Sequence, residues 1–383
     1  MARDPATLRI VARSTLNPAE PGTSRANATF PTFTVLADGG LLATYSIGST
    51  KDSDDGTIEF RRSDDGGATW SPPLAPFAST VAGRRGSLKF APVTRLDGDR
   101  LIVVCLWIDR EAYPGQPLFN PATEGCLPMA IVVADSFDGG RTWTPWRVVP
   151  MPPDVGPPSL TNALVRFPSG RLVLSVETNK EYLDDSPWFQ RVVHLWSDDD
   201  GATWSEPVTV VSDPTGRIAN WDQRGAVAPD GRLVSFSWTY DFDAVAYRDV
   251  RRRISADEGR TYGSHTELGF ADQPGHPAIL TDGRVVLAWV DRFGSRSIRA
   301  RRAASIDDPF DVESEVVLHE AEAPSGGSSP TETTGDALVD MQTWSYGLVY
   351  ADALPDNDVG VVHYAPGPDG GLDVRWVRLA VDG

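Results

Sequence analysis

The sequence predicts an all-β chain folded as a six-bladed β-propeller, and two interleaved ladders of short motifs predict it. The first ladder holds four copies of one pattern: Ser63-Asp-Asp-Gly-Gly-Ala-Thr-Trp70, Ser136-Phe-Asp-Gly-Gly-Arg-Thr-Trp143, Ser197-Asp-Asp-Asp-Gly-Ala-Thr-Trp204 and Ser255-Ala-Asp-Glu-Gly-Arg-Thr-Tyr262. The shared form is S-x-D-x-G-x-T-[WY], and its starts step by 73, 61 and 58 residues. The second ladder is a hairpin signal at Asp38-Gly39, Asp97-Gly98, Ser169-Gly170, Asp230-Gly231 and Asp282-Gly283, stepping by 59, 72, 61 and 52 residues. Self-similarity at such a period marks a repeat architecture. Asp-Gly between alternating apolar runs marks a tight hairpin. The 35 Gly and 31 Pro fit many turns and few helices.

Each repeat reads as strand A, a D-G turn, strand B, a longer loop, strand C, the eight-residue turn and strand D. In that turn the Asp is suited to accept bonds from the turn backbone, and the fifth-place Gly permits a positive φ. The terminal aromatic is expected to fill the space between neighbouring sheets. Along the chain, residues 8–12 alternate as a strand expected to close the ring beside the C-terminal strands. The fourth repeat is complete, with strands at 221–228, 233–239, 249–255 and 265–270. The fifth has lost the eight-residue pattern, and Ser305-Ile-Asp-Asp-Pro-Phe310 stands in its place. The sixth is degenerate, with strands expected at 338–341, 347–351, 359–365 and 372–379. Repeated four-stranded sheets around an axis make a propeller. Six of them use nearly all of the 383 residues, so one domain over 1–383 is expected.

A net charge of −18 argues against nucleic acid as a partner, because phosphate binding needs a basic face. No run of 18 apolar residues is present, so no membrane span is expected. The start, Met1-Ala-Arg-Asp-Pro-Ala-Thr-Leu-Arg9, lacks an apolar core, which reads as cytoplasmic. Cys105 lies in the apolar strand 101–107 and is expected to pack as a small hydrophobe; with Cys126 it implies no disulfide framework. Basic charge is carried by 32 Arg against Lys51, Lys89 and Lys180, a bias that reads as coding preference. The run from Arg248 to Arg253 reads as a solvated outer strand. The loop Asp52-Ser-Asp-Asp-Gly56 is one residue short of a calcium loop and lacks the closing Glu, so neither metal nor cofactor is expected.

The four eight-residue turns resemble the Asp-box of the sialidase superfamily. That resemblance implies a propeller whose ligand end carries the loops into strand A and from B to C, with the Asp-boxes at the opposite end. It implies glycosidase chemistry, and the chain departs from the sialidase pattern at the residues that would perform it. The Arg-Ile-Pro of the first blade reads Thr29-Phe-Pro31. The Glu expected eight residues before the fourth D-G turn is Asp222, and an Arg after strand B of that blade corresponds to Trp238. The last-blade Tyr nucleophile has no clear counterpart near Asp336-Ala-Leu-Val-Asp340-Met-Gln342. An acid/base Asp in the first-blade loop is matched by Asp52, Asp54 or Asp55.

Candidate site residues therefore come from strand A starts, strand B ends and B–C loops. The expected catalytic set is Asp222 and Glu177 with Asp52 and Asp54 as an acid source. His276, in Gly275-His-Pro277, is the centre of the alternative chemistry of a uronate lyase or His-dependent glycosidase. The expected binding set is Arg25, Arg224, Arg292, Asn162, Trp221, Trp238 and Gln273, because Arg grips carboxylates and Trp stacks on sugars. Further candidates at the same end are Lys89, Asp109, Trp188, Asp241 and Asp272. The expected function is cleavage of a terminal, possibly acidic, sugar from an oligosaccharide by an enzyme other than an ordinary sialidase. A non-catalytic carbohydrate-binding propeller is the third reading.

Overall fold

The structure is a computed structural model and describes residues 7–321, 341 and 343–382. Apart from residues 341 and 343 in a helical turn and the 3-10 turns Pro153–Val155 and Val312–Ser314, its regular structure is antiparallel sheet with one parallel strand pair and two isolated parallel bridges, Cys126–Glu181 and His276–Tyr350. Among the described residues, no helix is long and apolar enough to cross a membrane.

The described residues form five hydrogen-bonded sheets, the first of which joins N- and C-terminal strands. The fourth repeat forms a sheet of its own, in the order Ile218–Val227, Leu233–Asp241, Ala246–Ser255 and Thr266–Ala271, matching all four expected strands. The largest sheet has seven strands in two antiparallel halves. One half contains Asn27–Val35, Leu41–Gly48 and Thr57–Ser63. The other contains Gly347–Ala353, Val359–Pro366 and Leu372–Val381, with Leu8–Asn17 added antiparallel to the last. The halves meet at a single parallel pair, Asn27 with Leu372. The N-terminal strand thus closes the ring as expected.

The last repeat is read one strand out of register by the sequence. Residues 338–340 of its expected first strand lie outside the described residues, and Met341 is in a helical turn. The strand at Gly347–Ala353 is the first of its half, because Leu8–Asn17 already supplies the outer one.

The D-G turns share one geometry. The N–H of Leu36, Leu96, Phe167, Ala228 and Leu280 each donates to the carbonyl four residues on, at 2.8–2.9 Å. The glycine at the fourth place of each turn has φ between 58° and 90°. A further copy at 354–358 has Leu354 donating to Asp358 at 2.8 Å, with Asn357 at φ 63° in the glycine's place. Asn tolerates the left-handed region, which is why a search for Gly misses this turn.

The eight-residue turns bind neighbouring sheets together. In the second, the Asp138 carboxylate accepts from the N–H and hydroxyl of Thr142 at 2.9 and 2.6 Å, and the N–H of Gly140 donates to Ser136 at 2.9 Å. A Cβ on Gly67, Gly140 or Gly201 would come within 2.3–2.6 Å of Trp376, Leu42 or Ile102, each in the preceding unit. The terminal aromatics pack the same way: Trp70 lies edge-on to Trp376 at 5.6 Å, and Trp143 to Phe60 at 5.3 Å. The core consequently sits between sheets. One apolar cluster joins Ile102, Val104 and Leu106 to Leu172, Leu174 and Val176.

Candidate functional site

Every inner strand is interrupted part-way along. In three sheets it is split, as Arg84–Lys89 from Val93–Arg95, Ser159–Leu160 from Val165–Arg166, and Gln273–Pro274 from Ala278–Ile279. Elsewhere it is bulged, between Thr29 and Thr32, Trp221 and Arg224, and Gly347 and Tyr350. At these breaks Phe30, Phe90, Asp222 and Leu348 take φ values of 51°, 52°, 46° and 45°. All four line one cavity of about 150 Å³. Left-handed backbone at a non-glycine residue costs about 1–3 kcal/mol and persists where the surroundings enforce it, typically at functional sites.

Glu177 and Asp222 both line this cavity. Glu177 ends the strand Leu172–Glu177 and is 5% exposed. Its Oε1 accepts from the Thr161 hydroxyl and from the Gln223 N–H, each at 3.0 Å. Burial, and next the charge of Asp222, push its carboxyl up to about 8 against the pull of those two bonds. Glu177 is therefore protonated at neutral pH, and with Oε1 accepting twice the proton belongs on Oε2. Asp222 accepts from Arg224 Nη2 at 3.3 Å and from Gln273 Nε2. A buried carboxyl raised in this way beside a second carboxyl group held by Arg224 and Gln273 is an arrangement suited to acid–base catalysis.

Cations surround the pair. Arg224 is buried, and its Cζ lies 5.2 Å from the centre of the Phe90 ring. Arg292 stacks on Trp344 at 3.9 Å and donates to Gln273 Oε1 at 2.8 Å and to the Tyr346 carbonyl at 2.7 Å. Gln273 thus connects Asp222 to Arg292. Lys51 donates to the carbonyls of Met341 and Trp344 and lies 5.3 Å from the centre of the Tyr364 ring. Burial pulls the ammonium of Lys51 down. Burial does the same to Lys89, followed by the charges of Lys51 and Arg110, and Lys89 is ion-paired with Asp52. Among the described residues, Lys51 and Arg292 have no carboxylate within ion-pairing distance.

The cavity gathers eight of the expected catalytic and binding residues, Glu177, Asp222, Asp52, Arg224, Arg292, Trp221, Trp238 and Gln273, together with the further candidates Lys89 and Trp188. Four others do not line it. His276 is buried, stacks on Tyr350 at 4.3 Å, and bonds the Ala351 carbonyl through Nδ1 at 3.0 Å. Burial drives its imidazole down to about 4, so it is a neutral packing group. Arg25 is held by Glu59, by Glu20 at 2.8 Å and by Asn17 at 3.2 Å. Asn162 is buried and donates to the Gly225 carbonyl at 3.0 Å. Asp54 faces Arg110 at 3.4 Å. Asp52 does line the cavity, where it is ion-paired with Lys89. Asp109 and Asp241 are taken by Arg84 and by Arg217 with Arg248. Asp336, Asp340 and Gln342 lie outside the described residues.

Sequence reasoning missed Lys51, Thr161, Trp344 and Tyr364. The signal for Lys51 was present: two of the three lysines in a chain with 32 arginines line one cavity. The Tyr364 hydroxyl donates to the Trp344 carbonyl at 3.3 Å, so the chain's cavity tyrosine is already engaged.

No family model matches the chain, and no curated protein matches its sequence. Solved structures do match. A protein of unknown function from Dyadobacter fermentans is similar over 98% of this chain and 99% of its own, at 20% identity and a TM-score of 0.73. An α-L-arabinanase from Penicillium chrysogenum, complexed with arabinobiose, aligns over 97% and 98% of the two chains at 16% identity and a TM-score of 0.66. The intramolecular trans-sialidase from Ruminococcus gnavus aligns over 95% and 96% at 14% identity and a TM-score of 0.65. The fold is a sialidase-like β-propeller.

Proposed function

We propose that this chain is a glycoside hydrolase that removes a terminal sugar carrying an acidic group, and that it is not an ordinary sialidase. The observation that carries the reading is the convergence of Glu177 and Asp222 in one cavity, with the first protonated and the second held by Arg224 and Gln273. Glycoside cleavage needs one carboxylic acid to protonate the leaving oxygen and one carboxylate opposite it. Glu177 takes the first role and Asp222 the second. A sugar carboxylate would face Arg292 and Lys51, which supply positive charge in a chain of net charge −18.

The solved glycosidases of this fold support a carbohydrate substrate by likeness of fold alone. A six-blade count is supported by the turns at 36–40, 96–100, 167–171, 228–232, 280–284 and 354–358, each joining the first two strands of its unit, and by the single parallel strand pair that divides the seven-stranded sheet. A lyase centred on His276 is disfavoured, since that imidazole is stacked away under Tyr350. A purely lectin-like role leaves the opposed carboxyl pair without a purpose. The test is a panel of aryl glycosides, uronides included, run with wild type and Glu177→Gln. Turnover that depends on Glu177 supports the reading, and equal rates in both proteins refute it.

A further inference from the structure

A second recess lies at the seam where the ring closes. It measures about 360 Å³, and its polar lining is Arg13, Thr15, His319, His363 and Arg375. It shares no lining residue with the cavity of Glu177 and Asp222.

Strand register dictates the assembly. Thr15 lies opposite Arg375 and Arg375 opposite His363, so the three form a row across Leu8–Asn17, Leu372–Val381 and Val359–Pro366. Residues directly opposite in antiparallel strands share one face of the sheet. Arg13, two residues before Thr15 in the same unbroken register, joins that face. The fifth unit supplies the other side through its outer strand, Val316–Glu320. Arg13 Nη1 donates to the Leu318 carbonyl at 2.6 Å, and the His319 and His363 rings lie 5.5 Å apart, centre to centre.

The groups so collected lack an acceptor. Among the described residues, Arg13 has no carboxylate within ion-pairing distance. Arg375 is paired with Asp373 at 2.8 Å and donates to the Thr15 hydroxyl at 3.1 Å. Asp373 does not line the recess, and no other carboxylate does. His363 is 2% exposed, and its Nε2 has no hydrogen-bond partner among the described residues. Its Nδ1 lies 3.5 Å from the Tyr364 carbonyl, the outer limit of a hydrogen bond, which puts little hold on the tautomer. Burial, then His319 and the charges of Arg13 and Arg375, hold this imidazole down to about 3, so the ring is neutral. A buried nitrogen without a partner is costly. Two guanidinium groups face the same recess, so the partner that fits is negative.

We propose that this recess binds a phosphate or sulfate group, held between Arg13 and Arg375, His319 and His363 across the seam of the fifth and last units. A tetrahedral oxyanion has acceptor oxygens enough to meet groups arriving from four strands, whereas a carboxylate has two. A metal ion at the two histidines is opposed by the charges of Arg13 and Arg375. Because the site joins the closing strand Leu8–Asn17 to the fifth unit, the bound anion stabilises the closed ring by mass action.

Calorimetric titration of the protein with inorganic phosphate, and separately with glucose 1-phosphate, tests the site at low ionic strength. Saturable one-site binding is expected for at least one of them, weakening as chloride is raised. The unfolding midpoint should rise with ligand concentration. Tighter binding of the ester supports a group carried on a larger ligand, and tighter binding of phosphate supports the free ion. Arg13→Met and His319→Asn, each checked for folding by its unfolding midpoint without ligand, should weaken binding about tenfold or more, the scale of one lost hydrogen bond to a charged group. Arg292→Met, in the other cavity, should leave it unchanged. No saturable binding to wild type, undiminished binding in the two recess variants, or binding lost in Arg292→Met alone overturns the proposal. Zn2+ binding that needs His319 and His363, with no anion binding, overturns it as well.

Discussion

Replacing Glu177 by Gln removes the proton but keeps the shape, and it separates two consequences of one buried carboxyl. The first is kinetic. An amide cannot donate the proton that the leaving oxygen needs, so kcat should fall ~100-fold or more, the scale of a lost general acid. In wild type, kcat/KM should decline as pH rises through about 8, where Glu177 loses its proton. The second is thermodynamic. A carboxyl raised from 4.5 to about 8 in the folded state binds its proton more tightly there than in the unfolded chain. Its stabilising contribution is complete below pH 4.5 and is lost as pH rises through about 8. At about 1.4 kcal/mol per pH unit, that interval amounts to on the order of 5 kcal/mol. The Gln variant has no such dependence. Denaturant unfolding of both proteins at pH 5 and pH 9 should therefore show wild type losing several kcal/mol more than the variant. A stability difference that stays flat with pH would refute the buried protonated acid, whatever the kinetics show.

Four other outcomes follow from the geometry. His276→Phe keeps the stack on Tyr350 and gives up one bond to the Ala351 carbonyl, so it should cost about 1 kcal/mol of stability with turnover per folded molecule unchanged; a variant that folds but does not turn over would restore a catalytic histidine. Ser197→Ala leaves the buried N–H of Gly201 without its acceptor at 2.8 Å, so stability should drop by about 1–3 kcal/mol in a denaturant titration while the kinetic constants hold. Arg25→Ala should weaken folding by leaving the buried carboxylate of Glu59 with Tyr45 alone at 2.8 Å, and it should not alter substrate binding. With Thr29 in the place of the sialidase arginine and Arg25 so engaged, release of sialic acid from a fluorogenic sialoside should be negligible. Rapid release that collapses on Arg25→Ala would show that this arginine reaches the cavity.

The repeat motifs by themselves determined the propeller. A Ser, an Asp and a Gly at fixed spacing close a turn through bonds within eight residues, so local sequence suffices to specify it. The aromatic that ends each copy then has to be buried against the preceding unit, as Trp143 is against Phe60. The site was half legible. Glu177 and Asp222 could be placed near one another because the turns fix where each strand begins and ends, and both line the one cavity. His276 and Arg25 occupy equally suitable positions in the sequence, yet one is covered by Tyr350 and the other is captured by Glu59. Those partners are 74 and 34 residues away, and no local pattern announces them. Protonation states were likewise beyond the sequence, because the state of Glu177 depends on burial and on the charge of Asp222 from the neighbouring sheet. The lysines tell the same story. Composition showed how rare they are, but only the meeting of separate units turned Lys51 and Lys89 into the lining of one cavity. Short-range hydrogen bonds fixed the architecture; long-range contacts decided which of the side chains at its mouth were left free to act.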